Sequence, residues 1–148
     1  MLAAALGRLE GEGVRILAAA PVLLTDPVGP SLRRYANSAA VVETSLEPPE
    51  MLSLLKRIER EFGRRAGGQR WTSRVLDLDL VLWSGGCFAA SDLVIPHPLF
   101  RERAFVLVPA AAIAPRWRDP VSRLTLRQLR ARHAATANTR LSPRTAPC

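Results

Sequence analysis

Residues 74–83 read RVLDLDLVLW, and this run constrains the fold more than any other part of the 148-residue chain. Its leucines alternate with Asp77 and Asp79. Because successive side chains of a strand point to opposite faces, the pattern predicts a β-strand with both carboxylates on one face. The rise of a strand separates the Cα atoms of such neighbours by roughly 6.6 Å. Aspartate is depleted in strands and is rarely buried without a partner. Because carboxylate oxygens are good ligands for Mg²⁺, we expect the pair to hold a divalent cation.

A cluster of basic residues leads into this run and favours the metal interpretation. Residues 56–74 contain seven basic residues and two acids. Cations beside carboxylates are typical of a site for a polyphosphate, since a metal bridges phosphate oxygens and arginine neutralises charge in the transition state. The alternatives are a solvent-facing strand for the aspartates and a solvated helix end and loop for the arginines.

Four side chains elsewhere are candidates for contacts with a ligand. Trp71 lies in a polar loop, where it either covers a flat ligand or packs within the loop. Tyr35 and Asn37 share a face at the start of a predicted strand, so they offer a flat surface and a donor–acceptor pair to a heterocycle, unless they are ordinary polar residues of a strand end. His97 lies between two prolines, which hold it in a fixed conformation, although a lone histidine is usually structural.

The formal net charge of +8 arises mostly from residues 116–148, which contain eight arginines and a single acid, Asp119. The pI of about 11.3 suggests a basic nucleic-acid-binding module as an alternative function. The charge lies mainly in a tail, however, and the rest of the chain lacks the alternating aromatic and basic residues of a single-strand binder.

Cys87 and Cys148 form neither a disulfide framework nor a metal motif, which fits a reducing cytosol. No apolar run approaches the roughly 20 residues that a membrane span needs.

The periodicity of apolar residues predicts an α+β fold with helices packed on a mostly antiparallel sheet. Helices are predicted over residues 2–9, 48–63, 101–108 and 125–133, and strands over 14–24, 36–46 and the aspartate run. The second helix is predicted to bury Met51, Leu54, Leu55, Ile58 and Phe62. Residues 134–148 have almost no large apolar groups and two prolines, so we expect a disordered basic tail there.

Three parts of the chain share their order and spacing with one enzyme family. They are RWTSRVLDLD at 70–79; IPHP at 95–98 with RERAFVL at 101–107 and IAP at 113–115; and TDPVGP at 25–30 with YAN at 35–37 and ETS at 43–45. Together they resemble the 6-hydroxymethyl-7,8-dihydropterin pyrophosphokinases of folate synthesis, from about residue 2 to about residue 130. The resemblance implies a ferredoxin-like α/β sandwich, formed by a domain over residues 1–133.

The resemblance also implies an activity and a set of site residues. ATP would donate its β,γ-pyrophosphoryl unit to the hydroxymethyl group of a reduced pterin, giving AMP and the pterin pyrophosphate. Asp77 and Asp79 match the ligands of two Mg²⁺ ions, and Arg64 and Arg74 match phosphate-binding arginines; these four are the expected catalytic residues. The expected nucleotide contacts are Glu59, Arg74, Leu80, His97 and Arg103. The expected pterin pocket consists of Thr25, Val28, Tyr35, Asn37, Trp71 and Phe105. There, Trp71 and Phe105 would sandwich the ring and Asn37 would read its edge.

The chain also departs from the family pattern. Met1 falls within the family's first helix, so we expect the family's first strand, which ends in a Gly-Ser-Asn turn, to be missing. Ala66 stands where the family often has arginine, Thr72 and Ser73 replace Gly-Pro, and Lys56 replaces a common glutamine. We expect a monomeric cytoplasmic enzyme that binds neither membrane nor specific nucleic acid. Because of these departures, the alternative is a catalytically impaired relative that keeps the fold and some ligand binding.

Overall fold

The structure is a computed structural model, and it describes residues 1–26, 34–65 and 76–141. Its α-helices within these ranges are α1 Leu2–Gly11, α2 Pro48–Arg65, α3 Ala104–Ile113 and α4 Leu126–Leu141. A 3-10 turn over Phe100–Glu102 directly precedes α3. The strands are β1 Arg15–Ala19, β2 Leu23–Thr25, β3 Tyr35–Asn37, β4 Ala40–Glu43, β5 Phe88–Ala90 and β6 Leu93–Ile95. In the described part of the chain, no helix is long and apolar enough to span a membrane.

The strands pair two by two into antiparallel sheets, β1 with β4, β2 with β3 and β5 with β6. This mixture of helices and short antiparallel sheets confirms the predicted α+β class. The two strands predicted over residues 14–24 and 36–46 each divide in two. Pro21 has no N–H to give to a ladder, and the breaks face each other. There, the Ala20 amide bonds to the Ala39 carbonyl at 2.8 Å and the Ser38 hydroxyl donates to the Ala20 carbonyl at 2.8 Å.

The chain forms two compact units, of which the first contains residues 1–19 and 40–98. Its core lies under α2, whose apolar residues recur at helical spacing and so face one side. The predicted stripe of this helix is confirmed as buried, with Ile58 fully inaccessible. Ala5 and Leu9 of α1, together with Val14 and Leu76, complete the cluster.

The second unit contains residues 20–39 and 99–148, and α3 and α4 form its core. Phe100, Leu107, Leu126 and Leu129 are buried there. Helix α4 begins with a capping box, because the Gln128 amide bonds to Thr125 Oγ1 at 3.2 Å while Gln128 Oε1 accepts the Thr125 amide at 2.9 Å. Such reciprocal bonds satisfy amides that the first helical turn leaves without intrahelical partners.

Three sequence predictions need correction. Helix α4 continues past His133 to Leu141, so residues 134–141 are helical where we expected a disordered tail; the alanines of this stretch are strong helix formers. The helix predicted over 101–108 is the 3-10 turn followed by α3, separated by the extended backbone of Arg103. Residues 76–83 carry no strand ladder within the described chain; the Leu78 amide bonds to the Glu59 side chain and the Val81 carbonyl accepts the His97 amide.

Candidate active site

The aspartate run keeps the alternation that the sequence predicts, although it is not a ladder-forming strand. Leu76 is buried, and Leu78 and Leu80 pack against the core of the first unit. Asp77 and Asp79 are exposed on either side of Leu78. The leucines therefore fasten the run to the core while both carboxylates face solvent.

Glu59 of α2 holds this run by its backbone. Its Oε1 atom accepts a hydrogen bond from the Leu78 amide at 2.7 Å, and its Oε2 atom pairs with Lys56 Nζ at 3.3 Å. Only 13% of the Glu59 side chain is exposed. A charged acceptor on a backbone amide makes a stronger bond than a neutral one, so the residue between the two aspartates has a fixed distance from α2.

The backbone of His97 is bonded to the same run. Its amide donates to the Val81 carbonyl at 3.0 Å. His97 follows β6 and the cis peptide bond between Ile95 and Pro96, and Ile95 is buried. Two of the predicted nucleotide contacts, Glu59 and His97, are thus hydrogen-bonded to the backbone of the aspartate run.

Asp77 and Asp79 fit a hard divalent cation by their chemistry. Mg²⁺ usually keeps several waters and binds one or two carboxylates together with substrate phosphates, rather than a cage made only of protein ligands. Two exposed carboxylates, two residues apart on an anchored run, provide that donor set. No group of three or more potential ligands from His, Cys, Asp or Glu is present among the described residues.

In the second unit, the pairing of β2 with β3 brings together three predicted pterin contacts. Thr25 lies opposite Tyr35 in the register. Asn37 Nδ2 donates to Thr25 Oγ1 at 3.2 Å, and that hydroxyl donates to the Tyr35 carbonyl at 3.4 Å. The Tyr35 side chain is exposed. This group offers hydroxyl, amide and aromatic surface within one hairpin.

Arg103 and Phe105 lie together at the start of α3. Arg103 is the N-cap residue, with extended backbone, and its guanidinium carbon is 5.6 Å from the centre of the Phe105 ring. Phe105 remains 39% exposed. A cation over an aromatic ring is a favourable pair that also leaves both groups accessible at a surface.

Several predicted site residues are not covered. Val28, Trp71 and Arg74 lie outside the described residues, and Arg64 is described only by its backbone in α2. Their expected roles stay predictions.

The amino-acid sequence matches a known enzyme family over most of its length. The model of the 7,8-dihydro-6-hydroxymethylpterin-pyrophosphokinase family matches residues 1–115. The chain belongs to this family. Its similarity to the pyrophosphokinases therefore includes the aspartate run, His97 and the start of α3.

Individual relatives support the same assignment, and each bears the name 2-amino-4-hydroxy-6-hydroxymethyldihydropteridine pyrophosphokinase. The chain is 45% identical to the Synechocystis protein over 101 residues, which is 68% of this chain and 51% of that protein. It is 39% identical to the Pseudomonas aeruginosa protein over 110 residues, 74% of this chain and 67% of that protein. The Methylorubrum extorquens protein is 38% identical over 117 residues, 78% of this chain and 73% of that protein. The chain thus spans about half the length of the Synechocystis pyrophosphokinase.

Two contacts near the predicted site residues were not anticipated from the sequence. One is the Glu59–Leu78 bond, and the other is an ion pair of Arg101 with Asp119. A signal for the first existed, since Glu59 lies one turn after Leu55 and adjoins Ile58, at the edge of the buried stripe. Asp119 stood out only as the lone acid in an arginine-rich stretch.

Proposed function

We propose that this chain transfers the β,γ-pyrophosphoryl unit of ATP to the hydroxymethyl oxygen of 6-hydroxymethyl-7,8-dihydropterin in folate synthesis. The bond between the β-phosphorus and the oxygen of the α-phosphate breaks, so AMP leaves. A new bond forms between the β-phosphorus and the hydroxymethyl oxygen, whose proton passes to solvent. The observation that carries the proposal is the exposed, anchored pair Asp77 and Asp79 in a chain whose residues 1–115 match the family.

The charged residues of the site have distinct tasks in this proposal. Asp77 and Asp79 would hold Mg²⁺, which would neutralise charge on the phosphates of ATP. Arg64 and Arg74 bind the phosphates and stabilise the charge that develops as AMP leaves. Arg103 is proposed as a further cation on the nucleotide, with Glu59, Leu80 and His97 as its other contacts.

The pterin would bind through its edges and faces. Asn37 can both donate to and accept from a heterocycle edge, and Thr25 lies within hydrogen-bond distance of it. Phe105 supplies an accessible aromatic face, for which Trp71 is the proposed partner. Tyr35 and Val28 complete the proposed pocket.

We assign the activity to a domain over residues 1–133, acting as a monomer in the cytoplasm. Cys87 is an exposed free thiol, which supports a reducing compartment. Gel filtration of the purified chain tests the monomer, and labelled expression tests the compartment.

The test is the formation of AMP and pterin pyrophosphate by the purified chain with ATP, Mg²⁺ and the hydroxymethyl pterin. Asp77→Asn and Asp79→Asn should each abolish turnover, whereas Asp92→Asn, an exposed aspartate in the turn between β5 and β6, should leave it intact. Binding of Mn²⁺ in the presence of a non-hydrolysable ATP analogue, followed by electron paramagnetic resonance, should be lost in the first two variants only. A folded chain that binds ATP and pterin without turnover would support the catalytically impaired relative instead.

A further inference from the structure

Among the described residues, Asp119 is the one charged residue that is buried, and none of its surface is accessible. Its carboxylate accepts hydrogen bonds from Arg101 Nε at 2.5 Å and Arg101 Nη2 at 2.7 Å. It also accepts the Ser122 hydroxyl at 2.6 Å and the Val121 amide at 3.0 Å. The Arg101 bonds hold the pKa of this carboxyl well below its usual range. The carboxylate is thus ionised, and each of its two oxygens accepts two hydrogen bonds. None of these partners belongs to the proposed active site.

The loop that carries Asp119 is closed on itself. The Asp119 amide donates to the Leu124 carbonyl at 2.9 Å, and the Arg123 amide donates to the Asp119 carbonyl at 2.9 Å. Arg118 and Thr125 form an antiparallel bridge at the base of the loop, directly before α4. The acceptor therefore has a fixed place relative to α4.

The 3-10 turn on the other side of the ion pair is anchored at each of its three residues. Phe100 is fully buried, and the Arg101 guanidinium lies 4.7 Å from the centre of its ring. Arg101 meets Asp119 with a two-pronged fork, a geometry that fixes direction as well as distance. The Glu102 carbonyl contacts His133 Nε2 of α4 at 3.1 Å. The chain leaves this turn directly into Arg103 and the first turn of α3.

Stability alone is a poor explanation for such a pair. Replacing a buried ion pair with apolar residues of similar volume is often neutral or stabilising, because the desolvation of two charges offsets their attraction. The two-pronged contact of Arg101 with Asp119 fixes the orientation of the turn, which an apolar pair does not. The residues whose orientation it determines most directly are those that follow the turn.

We propose that Arg101 and Asp119 are positioning residues, which hold the 3-10 turn so that Arg103 and Phe105 project from the start of α3 in the geometry needed for substrate. The inference rests on the proposed function, in which Arg103 contacts the nucleotide and Phe105 the pterin. A misplacement of about 1 Å is enough to lower rates by roughly 100-fold, so a turn held by a fork has a functional effect without touching substrate.

The experiment compares three variants with a matched control. Asp119→Asn breaks the charge pairing, Arg101→Lys keeps the charge and removes the fork, and the double variant Arg101→Met/Asp119→Leu replaces both charges with apolar groups. Leu129→Ala is the control, since it truncates a buried side chain of the same helical core and leaves the Arg101–Asp119 pair intact. All are assayed well below their unfolding temperatures.

We expect kcat/KM for the pterin and for ATP to fall roughly 10- to 100-fold in Asp119→Asn and in the double variant, with a smaller fall in Arg101→Lys. The double variant should regain thermal stability without regaining kcat/KM. Leu129→Ala should lose stability and keep its kcat/KM. If kcat/KM instead follows stability across the set, so that the double variant recovers both, the pair is purely structural and the proposal is overturned.

Amide hydrogen exchange separates this inference from the proposed function. The Val106 and Leu107 amides both donate to the Arg103 carbonyl, so their protection reports on the start of α3 whether or not the chain turns over. Protection should fall in the double variant and stay unchanged in Leu129→Ala after correction for global stability. If the Val106 and Leu107 amides are equally protected in the double variant and in the wild type, the positioning role is overturned. If the double variant loses this protection but the wild-type chain is inactive, only the proposed function is overturned.

Discussion

The Glu59 carboxylate accepts the Leu78 amide at 2.7 Å, so α2 is bonded to the residue that separates Asp77 from Asp79. Among the described contacts of this run, its leucine side chains pack against the core and the Val81 carbonyl accepts the His97 amide. A bond at Leu78 restricts rotation of the run about its axis, and it therefore restricts the direction of both neighbouring carboxylates.

Glu59→Ala should weaken Mn²⁺ binding in the complex with an ATP analogue by roughly 10- to 100-fold, the range typical for partners that orient metal ligands. Glu59→Gln should lose less, because its amide oxygen can still accept the Leu78 amide. Lys56→Ala, which removes only the ion pair on Oε2, is the control and should bind nearly as wild type. Equal losses in Glu59→Gln and Glu59→Ala would contradict this account and favour a direct charge contact.

The ion pair of Asp119 should make stability depend on acidity in a defined direction. The pKa of the Asp119 carboxyl is depressed in the folded chain, so its contribution is complete above the unfolded-state pKa of roughly 3.9 and declines as the pH falls below it. We expect the stability difference between wild type and Asp119→Asn to be constant from about pH 5 to about pH 8, and to shrink in acid. Urea unfolding at several pH values measures it, and a difference that grows below about pH 4 would contradict the assignment.

Ile58→Ala should destabilise the first unit strongly. The side chain is fully buried in the middle of α2, and truncation of such a residue costs about 2–5 kcal/mol of unfolding free energy. Ser53→Ala, on the exposed face of the same helix, should change it by less than about 0.5 kcal/mol. Chemical denaturation of both variants tests the packing, and comparable losses would show that α2 does not bury the stripe described above.

Phe105→Leu should weaken pterin binding while preserving apolar volume. Aromatic pairing is worth about 0.5–1.5 kcal/mol beyond the area that it buries, which corresponds to a rise of roughly 2- to 12-fold in Kd. Phe88→Leu, which removes an aromatic ring packed edge-on against Trp83 in the first unit, is the matched control. Pterin fluorescence titration measures both, and an unchanged Kd in Phe105→Leu would exclude the ring from the pocket.

The local patterns of the sequence predicted the parts of the fold that depend on local physics. The period of α2 placed Ile58 and its neighbours in the core, and the alternation around Leu78 placed both aspartates on the exposed side. The break at Pro21 also involves the residues opposite it, Ser38 and Ala39, and the pattern of a single strand does not encode that pairing.

Partners distant in the chain were beyond such patterns. The sequence contains many acidic residues that could pair with Arg101. Its pairing with Asp119 depends on the packing of α3 against α4. The end of α4 was missed for a different reason: the absence of large apolar groups after His133 argued against burial, but alanine favours the helix without burial.

The most direct test of the central claim follows the label from ATP that carries radioactive phosphorus at the β position. The chain is incubated with labelled ATP, Mg²⁺ and the hydroxymethyl pterin, and the products are separated. Pyrophosphoryl transfer predicts that all transferred label appears in the pterin product and that the nucleotide product is unlabelled AMP. Labelled ADP together with an unlabelled pterin phosphate, or no transfer by a folded chain that binds both substrates, would contradict the account.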